Sequence, residues 1–345
     1  MSQSIEPYVL TNENAPAFWS LGTLWLPLST GVLTGNSLTL IEQQMPAQSG
    51  PSSHLHTQEE GFYILSGSCT FQVGGEIIHA TPGTLLHIPR DTSHSFETQE
   101  ATHALNFYLP SGFEHILLSV CAPAQTRTLP LPDAVPMPPP EFIRELSREY
   151  GQSQDLGMPW IDVPTEANRV TTPSKTNPVK PFATHLESAP AFWDKGMLWT
   201  MLATGEQTGG AYSALEQLCA KDTGPAPHWH EQDEALYLLE GQATFMAGEQ
   251  VVQAGAGAFV FIPRGTLHSF RINSDTARLL NFYTPSGFER AIPQLGQPAA
   301  TRTLPPDDFS PGVDKEKLKA LFAQIGMHTV AVPDFLRDPS LPHSH

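Results

Sequence analysis

The chain repeats itself once, and this limits the folds open to it more than any other feature. APAFW at 15–19 returns at 189–193, and GTLWLPLSTG at 22–31 returns as GMLWTMLATG at 196–205, both offset by 174. HLHTQEEGFYILSG (54–67) aligns with HWHEQDEALYLLEG (228–241), and IPRDTSH (88–94) with IPRGTLH (262–268). LNFYLPSGFE (105–114) and TRTLP (126–130) recur at 280–289 and 301–305, where the offset is 175. One residue has therefore entered between His268 and Leu280, as a turn tolerates. A unit followed by one copy is a duplicated domain and not a solenoid, and 345 residues suit two domains of roughly 150.

Each repeat is a series of short apolar runs ended by Gly or Pro, such as SLTLIEQQM (37–45), GFYILSG (61–67), CTFQVGG (69–75), GTLLHIP (83–89) and ALNFYLP (104–110). With 33 Pro, 26 Gly and only 15% charged residues, the pattern predicts many strands joined by turns. Gly74-Gly75 and Ala247-Gly248 read as hairpin turns at equivalent places. The expected fold is all-β: two tandem jelly-roll-type barrels, each with a short helical appendage. The helices are expected from about Pro140 to Tyr150, between a helix-starting Pro and Gly151, and over 314–326, stopped by Gly326. The expected domains are residues 1–151 and 182–337, joined by a linker at 152–181, with a frayed tail after about Asp338.

Composition bounds the partners. The formal charge of -17 disfavours phosphate backbones and anionic lipid, so neither nucleic acid nor a membrane surface is expected to bind. No run of ~18 apolar residues offers a membrane span, and MSQSIEPYVLTNENAPAFW has neither the basic nor the apolar region of a signal peptide. Cys69, Cys121 and Cys219 form no disulfide framework, so reduced, buried thiols in a cytoplasmic protein are expected.

The chemistry gathers at His54, His56, Glu60 and His94, and again at His228, His230, Glu234 and His268. Alternate side chains of a strand share a face, so His-x-His sets both imidazoles on one side. Glu60 or Glu234 joins them once the chain bends, and His94 or His268 arrives at the start of another strand. Three imidazoles and one carboxylate suit Fe, Mn, Co, Ni, Cu or Zn better than calcium or magnesium. One metal per barrel is expected, with iron first. The remaining histidines (His79, His87, His103, His115, His185, His328) have no such spacing and read as surface or structural residues. Trp25, Phe62, Phe107, Trp199 and Phe282 read as barrel core, with the wall of a flat ligand's pocket as the alternative.

These residues resemble the two cupin motifs, G-x5-H-x-H-x3,4-E-x6-G and G-x5-P-x-G-x2-H-x3-N. The first repeat supplies His54, His56, Glu60 and Gly67, then Gly83, Pro89 and His94. The second supplies His228, His230, Glu234 and Gly241, then Gly257, Pro263, Gly265 and His268. Asp91 stands where the second motif has glycine, so a slightly different turn is expected there; the leading glycine of the first motif is displaced or absent, and the final Asn is missing in both copies. Two metal-binding barrels in a chain of this length resemble the bicupin quercetin 2,3-dioxygenases, although those place four residues, not three, between the second His and the Glu.

The resemblance implies an O2-dependent opening of a polyphenolic or enolisable aromatic ring. Glu60 and Glu234 would serve as catalytic general bases that take the proton of the substrate hydroxyl. A small aromatic molecule and O2 would be the partners, and paired barrels would make a homodimer. Two other functions fit the same residues: a metal-dependent isomerase, cyclase or lyase that needs no oxygen, and a bicupin that binds small molecules without catalysis.

Overall fold

The computed structural model describes residues 5–154 and 179–330, apart from positions 12, 132, 133, 137, 307, 310, 311, 313 and 314. Most of the expected linker and the expected frayed tail lie outside the described residues. The chain divides into a first unit, Ala15–His185, and a second unit of the chain from Leu186 onward together with the segment up to Asn14. Among the described residues each holds one eight-stranded and one five-stranded sheet.

In the first unit the larger sheet centres on Thr39–Met45, Thr102–Leu109, Glu59–Ser66 and Thr84–Ile88, and the smaller contains His54–His56, His94–Thr98, Cys69–Val73 and Glu76–Ala80. Alternation decides which side chains enter the core. In Cys69–Val73, Cys69, Phe71 and Val73 are buried while Thr70 and Gln72 face outward to differing degrees. The second unit repeats the arrangement with Ser213–Ala220, Thr276–Thr284, Asp233–Glu240 and Phe259–Ile262 in the larger sheet. Its smaller sheet holds His228–His230, His268–Ile272, Gln242–Ala247 and Gln250–Gly255.

The units differ from the expected domain limits at their sheet edges. Phe182–His185, expected to open the second domain, pairs antiparallel with Thr84–His87 of the first unit. Tyr8–Leu10, expected in the first domain, pairs with Phe259–Phe261 of the second. The two segments hold equivalent positions in the repeat, and each covers a strand edge that would otherwise expose unpaired backbone groups. Gln152–Gln154, expected in the linker, pairs with His54–His56.

The helices form at Pro140–Glu149, with proline in the first turn, and at Lys315–Ile325. Gly151 and Gly326 follow them with φ of 76° and 69°. Among the described residues no helix is long and apolar enough to cross a membrane. Cys69 and Cys219 are buried free thiols as expected, whereas Cys121 is only half-buried.

Two of the departures from the motifs fall where the backbone is left-handed in both units. Asp91 takes the left-handed conformation, φ 58°, that Gly265 takes at 77°, so the expected difference in that turn does not occur. The amides of Asp91 and Gly265 both donate to the carbonyl of the second motif histidine, His56 or His230, at 2.8 Å. Six positions before His54 and His228, Gln48 and Asp222 are likewise left-handed, at 57° and 62°. Each such residue stores roughly 1–3 kcal/mol of strain, which the surrounding ladder must outweigh.

Candidate metal centres

The strand His54–His56 sets two imidazoles on one face, and Thr57 and Gln58 carry the chain across to the larger sheet, where Glu60 turns toward them. His94 opens the neighbouring strand and pairs across the ladder with His54. One ligand atom from each of the four lies within 4.8 Å of the others. His228 and His268 pair in the same way, and His228, His230 and His268 form the corresponding group. Glu234 Oε2 lies 3.1 Å from His230 Nε2 and 3.0 Å from His268 Nε2, although it falls outside that tighter group. The structure thus brings together all four expected residues in each unit, with exposures between 1% and 6%.

The ring orientations are those of metal ligands. Nδ1 of His54, His56 and His94 points at the carbonyls of Ser52, Gln58 and Thr92, at 2.9, 3.2 and 2.8 Å. In the second unit His228, His230 and His268 face Ala226, Gln232 and Thr266 at 2.9, 2.9 and 2.8 Å. A carbonyl only accepts, so each Nδ1 carries the proton and each neutral ring keeps a bare Nε2 for the centre. His94 Nε2 lies 2.8 Å from Glu60 Oε2, yet no hydrogen bond of good geometry joins them, and His268 Nε2 is likewise without one. Lone pairs held this close repel unless a cation stands between them, so the donor set fits a divalent metal.

A proton can act as that cation. Burial alone would raise the pKa of Glu60, but protonated His56 and His94 beside it outweigh burial and hold the carboxyl well below its usual range. Burial opposes charge on His94, and the Glu60 carboxylate overcomes it, so His94 is raised. His54 is pushed down to about 3 by burial and by its neighbouring imidazoles. The carboxyl of Glu234 is held low against its burial by His230 and His268.

The surroundings of the two carboxylates differ. Asn106 donates to Glu60 Oε1 at 2.9 Å, and Gln43 Nε2 donates to Asn106 Oδ1 at 2.8 Å. In the second unit Asn281 donates instead to the Tyr283 hydroxyl at 3.3 Å, and its Oδ1 has no hydrogen-bond partner. Phe113 stacks on Tyr108 at 4.6 Å between centroids and Phe288 on Tyr283 at 4.4 Å, so each site has an aromatic lid on one side.

Asn106, Tyr108 and Phe113 were not among the expected site residues, although the near-identity of LNFYLPSGFE and LNFYTPSGFE pointed to that stretch. The same alternation that sends Asn106 and Tyr108 inward turns Phe107 away, onto Gly61, where an added Cβ would meet its ring at 2.0 Å. Of the expected aromatic residues in the first unit, Trp25 and Phe62 line a cavity of about 240 Å³ that opens on His54 and Glu60. Trp199 lies in the buried core of the second unit. The unassigned histidines have structural partners, such as Glu42 for His103 and the ring of Trp229 for His328.

The family model of the cupin domain matches residues 41–108 and 216–283, which include all eight candidate ligands. Quercetin 2,3-dioxygenase of Bacillus subtilis is 22% identical over 307 residues, covering 87% of this chain and 88% of that protein. Oxalate decarboxylase from Bacillus subtilis, solved at pH 4.6, is similar in structure with a TM-score of 0.55 at 15% identity, over 82% of this chain and 78% of that one. A further structure of that enzyme, studied for its Mn(II) centres, has the same score and coverage.

Proposed function

The chain carries two cupin domains in tandem, and from this premise we propose that it is a metal-dependent dioxygenase that uses O2 to cleave a ring or C–C bond of a phenolic or enolisable small molecule. The observation that carries this reading is the cavity of the first unit. Its lining is largely apolar, it meets the candidate ligands His54 and Glu60, and among the described residues it contains no Lys or Arg. A small dianion would find no cationic side chain there, whereas a flat, mostly apolar molecule with one ionisable hydroxyl matches both walls and floor.

His54, His56, His94 and Glu60 would hold the metal in this unit, and His228, His230, His268 and Glu234 in the other. The bound metal supplies Lewis acidity toward an ionised hydroxyl and redox chemistry toward dioxygen. Three imidazoles and one carboxylate suit iron and also manganese, cobalt, nickel, copper or zinc, so elemental analysis must assign it. Asn106 fixes Oε1 of Glu60 and leaves Oε2 facing the centre, where the carboxylate accepts the substrate proton. Tyr108 and Phe113 keep bulk water from that carboxylate, both being buried.

Oxygen-electrode traces with a panel of phenols and flavonols, repeated under argon, test the proposal. Oxygen uptake that tracks substrate loss is expected. Equal turnover under argon would refute it in favour of an isomerase, cyclase or lyase.

A further inference from the structure

The repeat makes each site a control for the other, and the two differ in the wall supplied by the helix and by the edge strand after it. In the first unit two separate clusters of buried apolar residues border the cavity, one around Phe62 and Phe71 and the other around Trp25, Tyr108 and Phe113. The cavity draws its lining from both, so it lies between them. In the second unit the counterparts of both sets, among them Leu236, Phe245, Trp199, Tyr283 and Phe288, belong to one continuous cluster.

One polar-to-apolar exchange lies on Thr23–Ser29, where Thr23 corresponds to Met197, and two more lie on the helix and the strand after it. Ser147, on the helix Pro140–Glu149, and Gln152, on the strand after it, line the cavity and hydrogen-bond to each other at 3.0 Å. Their counterparts, 175 positions on, are Phe322 and Met327, which pack against the continuous core. Three exchanges run the other way, Met45 to Cys219, Phe62 to Leu236 and Ile116 to Ala291, yet the cluster of the second unit stays unbroken. Trp25 Nε1 also faces the first cavity, buried and without a hydrogen bond, but Trp199 Nε1 is in the same state in the second unit, so this group does not set the two sites apart.

We propose that substrate binds in the first unit alone, and that Ser147 and Gln152 select it by receiving a polar group at the wall formed by the helix and the strand after it. This rests on the reading of the sites as metal centres. A cavity of about 240 Å³ is below the ~300–1,000 Å³ of drug-sized ligand sites, so the ligand is a one-ring or fused two-ring hydroxylated aromatic with a second polar substituent. In the second unit Phe322 and Met327 pack against the core, and the opening of about 360 Å³ that they line meets none of the candidate ligands, which leaves that metal a supporting role.

The test uses the full chain loaded anaerobically with iron(II), 4-nitrocatechol as a coloured probe, and elemental analysis on the same samples. Wild type is expected to hold two metals and bind about one probe per chain. The double variant Ser147→Phe/Gln152→Met should keep both metals while its probe affinity falls at least about tenfold, the loss expected when a ligand's space is filled and its hydrogen bonds removed. Gln152→Met alone should fall part of the way, and it covers the case in which the larger change prevents folding. Phe322→Ser/Met327→Gln should leave the affinity of the first site unchanged.

Undiminished binding by both first-unit variants would overturn the proposal, as would probe binding that survives His54→Ala and disappears in His228→Ala. Wild-type protein with two metals and no affinity for the probe would overturn it too, while leaving the metal centres standing. Protein that takes up no metal would remove the metal centres themselves.

Discussion

Replacing His87 with phenylalanine should make the first unit less sensitive to acid. His87 is fully buried in the strand Thr84–Ile88, beside the ring of Phe182 at 5.1 Å, and the second unit has Phe261 at the equivalent position. Glu59 Oε2 lies 3.5 Å from its Nε2, but that carboxylate is engaged by Arg90 at 2.6 Å. Burial, helped by the Arg90 charge, therefore prevails and lowers the pKa of His87 to about 3. In the unfolded chain the ring titrates near 6.5.

Between these values the unfolded chain binds a proton that the folded chain refuses. The stability is thus fully present above about pH 6.5 and is lost as pH falls toward 3, by about 1.4 kcal/mol per unit. From pH 7.5 to pH 5 the loss due to His87 comes to about 2 kcal/mol. Other buried imidazoles add to the acid sensitivity of both proteins, so the informative quantity is the difference between wild type and His87→Phe. Urea unfolding of the full chain at pH 7.5, 6 and 5 should show the variant gaining about 2 kcal/mol on wild type across that range. Curves that stay parallel would mean that the ring is protonated, or solvated, inside the fold.

The other predictions concern the sites and the core. His94→Ala and His268→Ala should each reduce the metal content from two per chain to one, as read by elemental analysis, because a three-donor remnant holds its ion far more weakly. Asn106→Ala should lower the metal affinity or turnover of the first unit by about ten- to a hundredfold, since it removes the 2.9 Å bond that orients Glu60. Asn281→Ala, which breaks only a 3.3 Å contact with Tyr283, should change metal affinity much less, and equal effects would refute the difference between the sites. Phe71→Ala, at a position with 0% exposure between Phe62 and Phe96, should destabilise the first unit by ~3–5 kcal/mol in urea melts.

The sequence by itself determined the duplication, the all-β class, both helices and all eight candidate ligands. Each rests on local or periodic chemistry: a turn residue ends a run, a strand alternates its faces, and His-x-His followed by Glu keeps its spacing wherever the strand lies. Only the tertiary structure decided which edge each strand would cover. Tyr8–Leu10 and Phe182–His185 have the pattern of strands, but a period of two names no partner, and an open edge accepts any strand that reaches it. The same holds around the metal. Asn106 is 46 positions from the carboxylate it holds, and Ser147 and Gln152 meet the cavity only because the helix returns to it. Spacing along the chain can assemble a ligand set, whereas the shape of the space beside it depends on distant side chains packing together.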